Sequence, residues 1–217
     1  MANKGVSNNS FSGQTTITSA HFGSQCVYIG ENAFDGCTSL SQINEDNVLE
    51  IINKCGFKQT KLESAIFSKL TDIGNEAFSE CIHLNNVSIP KCKTIPSSTF
   101  SGCVSLIDVN TKPHTVGSKA FYKCDNLSKI DLSECTEISD EAFKECKKIQ
   151  ELNLPECTVI KNGAFFDCSN LRKISLYKCN RIHENAFNGC QNLRAVYIHN
   201  TPDCFCNISQ NSINVFD

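Results

Sequence analysis

NLRKISLYKCNRIHENAFNGCQNL, residues 170–193, decides how this chain is read. Leu171, Ile174 and Leu176 end its first half in an apolar/polar alternation, which predicts a short strand with one buried side. In the second half Ile182, Ala186, Phe187 and Cys190 are spaced by three to five residues, which predicts a helical or 3₁₀ turn carrying Ala-Phe. Three places before Phe in the other copies lie Asp140, Asn162, Ser97, Ser118 and Asn75, and most of these are residue types that cap helix starts.

The pattern recurs along the chain. Phe34, Phe78, Phe100, Phe121, Phe143, Phe165 and Phe187 are separated by 44, 22, 21, 22, 22 and 22 residues. A Cys follows each by three places: Cys37, Cys81, Cys103, Cys124, Cys146, Cys168 and Cys190. A second Cys column is Cys26, Cys92, Cys135, Cys157 and Cys179. The double gap holds a worn copy, KCGFKQTKLESAIF (54–67), in which Phe57 reads as one place out of phase. Eight repeats of about 22 residues therefore cover 26–199, with 44–67 degenerate. Residues 1–25 read as a polar cap or leader and 200–217 as a carboxyl-terminal cap or tail. A unit this short cannot bury its own apolar side, so neighbours must stack into a solenoid.

L-x-x-I-x-L followed by I-x-x-x-A-F-x-x-C resembles the leucine-rich repeats of the BspA-like (Treponema pallidum) class. The resemblance implies an α/β repeat solenoid: a right-handed arc with short parallel strands on the concave side and helical or 3₁₀ turns on the convex side. It further implies roles in adhesion and protein–protein contact, often at the surface of microbes living on hosts.

Composition narrows the functional classes. Twenty Lys and Arg against 23 Asp and Glu give a net charge of -3, with no basic run suited to a nucleic-acid backbone. Apolar stretches are far shorter than the roughly 20 residues that span a bilayer. The opening residues, MANKGVSNNSFSGQTTITSA, carry no apolar core of a secretory leader, which favours an intracellular location, whereas the resemblance points to a cell surface. Twelve of the 15 Cys fall in the two columns. Stacked columns place side chains about 4.7–4.9 Å apart, wider than the ~3.8 Å Cβ separation of a disulfide. Free, buried thiols are expected. Cys204 and Cys206 form a C-x-C that is a weak zinc or disulfide candidate, set against a capping turn. His21, His83, His114, His183 and His199 are scattered, and no G-x-S-x-G, phosphate loop or H-E-x-x-H occurs, so neither an enzyme nor a cofactor is expected.

The outward positions of the strand face are the natural interaction surface of a solenoid. Lys129, Asp131, Glu151 and Asn153 give its middle a mixed character. Its carboxyl end gathers Arg172, Lys173, Ser175, Tyr177, Arg194, Tyr197 and His199, with Tyr and Arg being residue types enriched at interface hot spots. The expected partner is a protein or host-surface macromolecule, bound by a monomer.

Overall fold

Phe11, Phe34, Phe57, Phe78, Phe100, Phe121, Phe143, Phe165 and Phe187 form one stacked column, with ring centroids 5.0–5.7 Å apart and planes within 14° of parallel. The computed structural model describes residues 4–44 and 48–198 and the backbone of 213–215. Each Phe marks one coil, nine in all among the described residues. Phe57, read from sequence as out of phase, sits in the column between Phe34 and Phe78 at 5.3 and 5.5 Å. The long step before it and the short step after it cancel. Phe11 stacks on Phe34 at 5.1 Å, so the polar amino-terminal cap is itself a coil.

Every coil carries two strands. The first four coils hold β1 (Gly5–Val6) and β2 (Ser19–Ala20), β3 (Tyr28–Ile29) and β4 (Gln42–Ile43), β5 (Ile51–Ile52) and β6 (Ser64–Ile66), β7 (Asp72–Ile73) and β8 (Asn86–Ser88). Next come β9 (Thr94–Ile95) and β10 (Asp108–Asn110), β11 (Thr115–Val116) and β12 (Lys129–Ile130), β13 (Glu137–Ile138) and β14 (Glu151–Asn153). The last coils hold β15 (Val159–Ile160) and β16 (Lys173–Leu176), β17 (Arg181–Ile182) and β18 (Ala195–Ile198), and β19 (Ile213–Val215) pairs with β18. All pairings are parallel. Odd-numbered strands from β1 to β17 build one ladder, and even-numbered strands together with β19 build another, with the apolar interior between them.

The odd ladder is interrupted once, between β7 and β9. After β5, β7 and β11 the next residue's N–H reaches back one coil: Asn53 to Ile29 O, Gly74 to Ile52 O, Gly117 to Ile95 O. The corresponding residue after β9 is Pro96, which has no N–H to give.

No helix occurs among the described residues, which corrects the expected helical or 3₁₀ side. The backbone explains why. Two positions flanking each Phe of the column from Phe11 to Phe165 take positive φ, as in Asn32 (51°) and Gly36 (73°) around Phe34, or Glu141 (54°) and Glu145 (64°) around Phe143, and Phe187 keeps one, Gly189 (81°). A left-handed residue on either side of Phe ends any helix there. Alternate N–H groups instead point to the next coil: Asn32 to Lys54 O, Phe34 to Gly56 O, Gly36 to Lys58 O. The supposed N-caps serve the same cross-coil purpose. Asn8, Asn75 and Asp140 Oδ1 accept N–H from Glu31, Ser97 and Asn162 at 2.8–3.1 Å. Nothing on this turn side is as wide as a ~10 Å helix, so it stacks at the pitch of the strands.

The thirteen described cysteines are free. In the first column each thiol donates to the Phe carbonyl of the preceding coil, from Cys37 to Phe11 O through Cys190 to Phe165 O, at 3.0–3.1 Å in all seven cases. Burial pushes Cys81 up to about 11 and Cys92 and Cys190 up to about 12. Cys103, Cys124, Cys146 and Cys168 are also held well above the ordinary thiol value, by burial first and then by the neighbouring thiols of the stack.

Two predictions follow from the columns. Phe143→Ala removes a fully buried ring from the middle of the stack and should cost roughly 3–5 kcal/mol in denaturant unfolding. The raised thiol pKa values mean that above about pH 9 the unfolded chain loses protons that the folded chain keeps. Stability should therefore fall as pH rises toward 11–12, by roughly 1.4 kcal/mol per pH unit for each such thiol. Urea midpoints measured under reductant from pH 8 to 11 check this, and a flat profile above pH 9 would show the thiols to be solvent-accessible.

Candidate functional site

The even ladder alternates as its sequence requires. Val87, Val109, Leu152, Ile174 and Val196 are buried, as are Ile89, Leu132, Leu154, Leu176 and Ile198 two places on. Between them, residues from β8 to β18 present one broad face. Charges in its middle are arranged to cancel across the ladder: Asp108 stands opposite Lys129, and Glu151 opposite Lys173. Lys112 Nζ lies 3.2 Å from Asp131 Oδ2.

Asp131 shapes the face locally. Its Oδ1 accepts the Ser133 N–H at 2.9 Å, a side-chain turn that competes with ladder bonding. Ser133, and then Lys112, hold its carboxyl below the usual carboxylate range. Strand β12 accordingly ends at Ile130, and β12 and β14 belong to separate sheets. A groove of about 530 Å³ lies there, lined by Asp131, Ser133, Glu151, Asn153, Lys173, Ser175 and Tyr177. A neighbouring one of about 470 Å³ is lined by Asp108, Asn110, Lys112, Lys129 and Asp131.

Seven of the residues nominated from sequence thus line two adjoining grooves: Lys129, Asp131, Glu151, Asn153, Lys173, Ser175 and Tyr177. Ser175 is only 8% exposed, with Asn153 and Tyr197 as its register partners on either side. Tyr177 is 52% exposed and stands diagonally from Tyr197, whose ring lies 5.1 Å from Lys173 Nζ. Arg172 and Arg194 are exposed and sit one above the other at the entry to β16 and β18, outside the grooves. His199, Cys204 and Cys206 lie outside the described residues. Sequence reasoning missed a third groove of about 330 Å³, where β4 and β6 also fall in separate sheets, lined by His21, Gln42, Asn44, Glu63, Ser64 and Ile66. The irregular 44–67 repeat hid its outward positions.

The sequence matches the BspA type leucine-rich-repeat region, in six copies, over residues 4–115 and 93–212. The chain belongs to the BspA-type leucine-rich-repeat family. Solved structures share the fold of this BspA-type chain. A leucine-rich-repeat protein from Bacteroides ovatus is 24% identical with a TM-score of 0.67, covering 89% of this chain and 58% of that one. A leucine-rich cell surface protein from Faecalibacterium prausnitzii is 21% identical with a TM-score of 0.58, covering 90% and 63%. For a leucine-rich-repeat protein from Eubacterium ventriosum the values are 22%, 0.59, 91% and 47%. The BspA-type chain spans less than two thirds of each of these. No curated protein matches its sequence. Among the described residues no group of three or more His, Cys, Asp or Glu could hold a metal, and no helix is long and apolar enough to cross a membrane.

Asp131→Ala should release the Ser133 amide and leave Lys112 unpaired. Because this pair is exposed, the stability change should stay within about 1 kcal/mol, while hydrogen exchange at Ser133 accelerates. An unchanged Ser133 amide would mean that the carboxylate does not set the end of β12.

Proposed function

We propose that this protein is a non-enzymatic binder that holds a protein partner on the face of its even strands. The family is one of repeat proteins that typically mediate protein–protein contact. The observation that carries the reading is the pair of adjoining grooves over β10–β16, where the ladder opens and seven residues named from sequence, the exposed Tyr177 among them, converge. Tyr177 offers a large contact area with a polar handle, and truncating such an anchor commonly costs more than 1 kcal/mol. Asp131, Glu151 and Asn153 set register and steer approach.

Display on a cell surface, with an adhesive role, is the reading suggested by the relative from F. prausnitzii, which is described as a cell surface protein. An intracellular adaptor using the same face is favoured by a different observation, the thirteen free thiols, since reduced cysteines are the rule in reducing compartments. Thiol titration of protein isolated from its native source, before and after denaturation, separates the two. Shielded but reducible-free thiols throughout support the adaptor, and extensive disulfides support an oxidising exterior.

Binding itself is tested by recovering a partner on the immobilised protein and comparing variants confirmed to be folded. Tyr177→Ala/Tyr197→Ala should weaken affinity about tenfold or more. Glu151→Ala should mainly change the association rate and its salt dependence. Full affinity in the tyrosine double variant rejects this face.

A further inference from the structure

The chain's three arginines are Arg172, Arg181 and Arg194, so all of them fall within one 23-residue span while the other seventeen basic residues are lysines. Two of the three share the even face. Arg194 N–H donates to Arg172 O at 3.0 Å, which sets the two residues on adjacent coils in one column. Side chains so placed stand roughly 5 Å apart at their base. Arg181 lies on β17, in the other ladder.

This column departs from how the rest of the even face handles charge. Asp108 faces Lys129, Glu151 faces Lys173, and Lys112 is bridged to Asp131. Like charges directly opposite each other on a sheet are destabilising. Yet Arg172 and Arg194 are both exposed, and neither takes part in any of the ten ion pairs among the described residues, whose cations are nine lysines and His114. The strands beside them, KISL in β16 and AVYI in β18, contain no acid. Ala195, the register partner of Lys173 on the next coil, leaves room beside them. Guanidinium groups differ from ammonium groups in presenting a planar fork that grips a carboxylate through two parallel hydrogen bonds.

We infer that Arg172 and Arg194 form a carboxylate-gripping pair at the end of the face, and that the partner presents an acidic polypeptide segment there. The inference rests on the protein-binding reading above and adds the partner's chemistry and its polarity on the face: contacts with charge-balanced polar residues over the grooves, carboxylates at the arginines. Planar recognition explains why the even face carries arginine rather than lysine at these two positions.

A fluorescein-labelled oligoglutamate peptide, followed by anisotropy at low and moderate salt, is the probe. It should bind the wild-type protein with an affinity that falls steeply with salt. Arg172→Gln/Arg194→Gln should weaken it about tenfold or more. Arg172→Lys/Arg194→Lys, which keeps the charge and removes the fork, should recover only part of the loss. Lys54→Gln, altering an exposed lysine paired with Glu31 on a distant coil, should leave it unchanged. The inference is overturned if the glutamine double variant binds oligoglutamate as the wild type does, if the lysine double variant restores full affinity, or if an oligonucleotide or phosphopeptide binds and oligoglutamate does not. Both arginines are exposed, so folding is not at risk, and far-UV circular dichroism confirms it. Failure of the face as a protein-binding surface reads differently: the recovered partner would be insensitive to Tyr177→Ala/Tyr197→Ala while the arginine effect on oligoglutamate persisted.

Discussion

Everything in this molecule depends on the requirement that each coil's backbone be satisfied by the next coil at a spacing of about 4.8 Å. Two ladders meet it on the strand sides. On the third side, where a helix would satisfy itself internally, the left-handed residues around each Phe turn alternate N–H groups outward along the solenoid axis. Glu76, Ser98, Lys119 and Glu141 all hold positive φ without being glycine. Such conformations cost of order 1–3 kcal/mol and persist where surrounding structure over-determines them. Here the over-determination is the same cross-coil bond repeated in each turn.

The Cys column follows from that geometry. Each Phe carbonyl already accepts the N–H of its own coil's Cys, as Phe100 O does from Cys103, and its second lone pair would be buried without a partner. The thiol of the next coil, Cys124, supplies one. Coil three offers a natural comparison because Thr60 occupies the Cys position. Its hydroxyl bonds within the coil, to Phe57 O at 2.9 Å, and meets the Cys81 sulfur at 3.3 Å. A longer, softer thiol reaches across coils, whereas the hydroxyl turns back on its own.

The column phase, the core and the inward/outward alternation of the even strands were legible in the sequence because their signals repeat at full strength in most copies. The odd ladder was not. Its strands are two residues long, with a single buried Ile or Val each, too short for any alternation to register. The helical expectation failed for a related reason. Ala-Phe-x-x-Cys has helix-like spacing, while the positive φ values that forbid a helix fall in several coils on Glu, Lys and Ser, which carry no left-handed signal, so that the signal at Asn32, Gly36, Gly102 and Gly189 does not recur from copy to copy. Phe57 was misplaced because one inserted residue before it and one deletion after it restore the phase only in three dimensions. At the candidate site, seven of the residues named from sequence line the grooves, Ser175 nearly covered by its neighbours, but their grouping was not legible. The local sequence Asp131-Leu132-Ser133 contained the turn signal that ends β12 and opens the groove.

Ladder continuity and binding capacity are in tension in such a fold. A fully paired face is flat, and its backbone has nothing left to offer a partner. Where Asp131 diverts the Ser133 N–H, β12 and β14 part and the surface gains depth without loosening the interior. The Phe121 and Phe143 rings directly beneath are 5.0 Å apart, the closest approach in the column. The strain of opening is thus confined to the outermost layer. Charge follows the same division. Over the grooves it is neutralised from coil to coil, which keeps that region available to polar contacts of either sign. At Arg172 and Arg194, where the ladder is continuous through β16, β18 and β19, the face carries positive charge that takes part in no ion pair among the described residues. Shape discriminates at one part of the face and electrostatics at the other. Neither requires the core to change, which is why a repeat this regular can carry a surface this uneven.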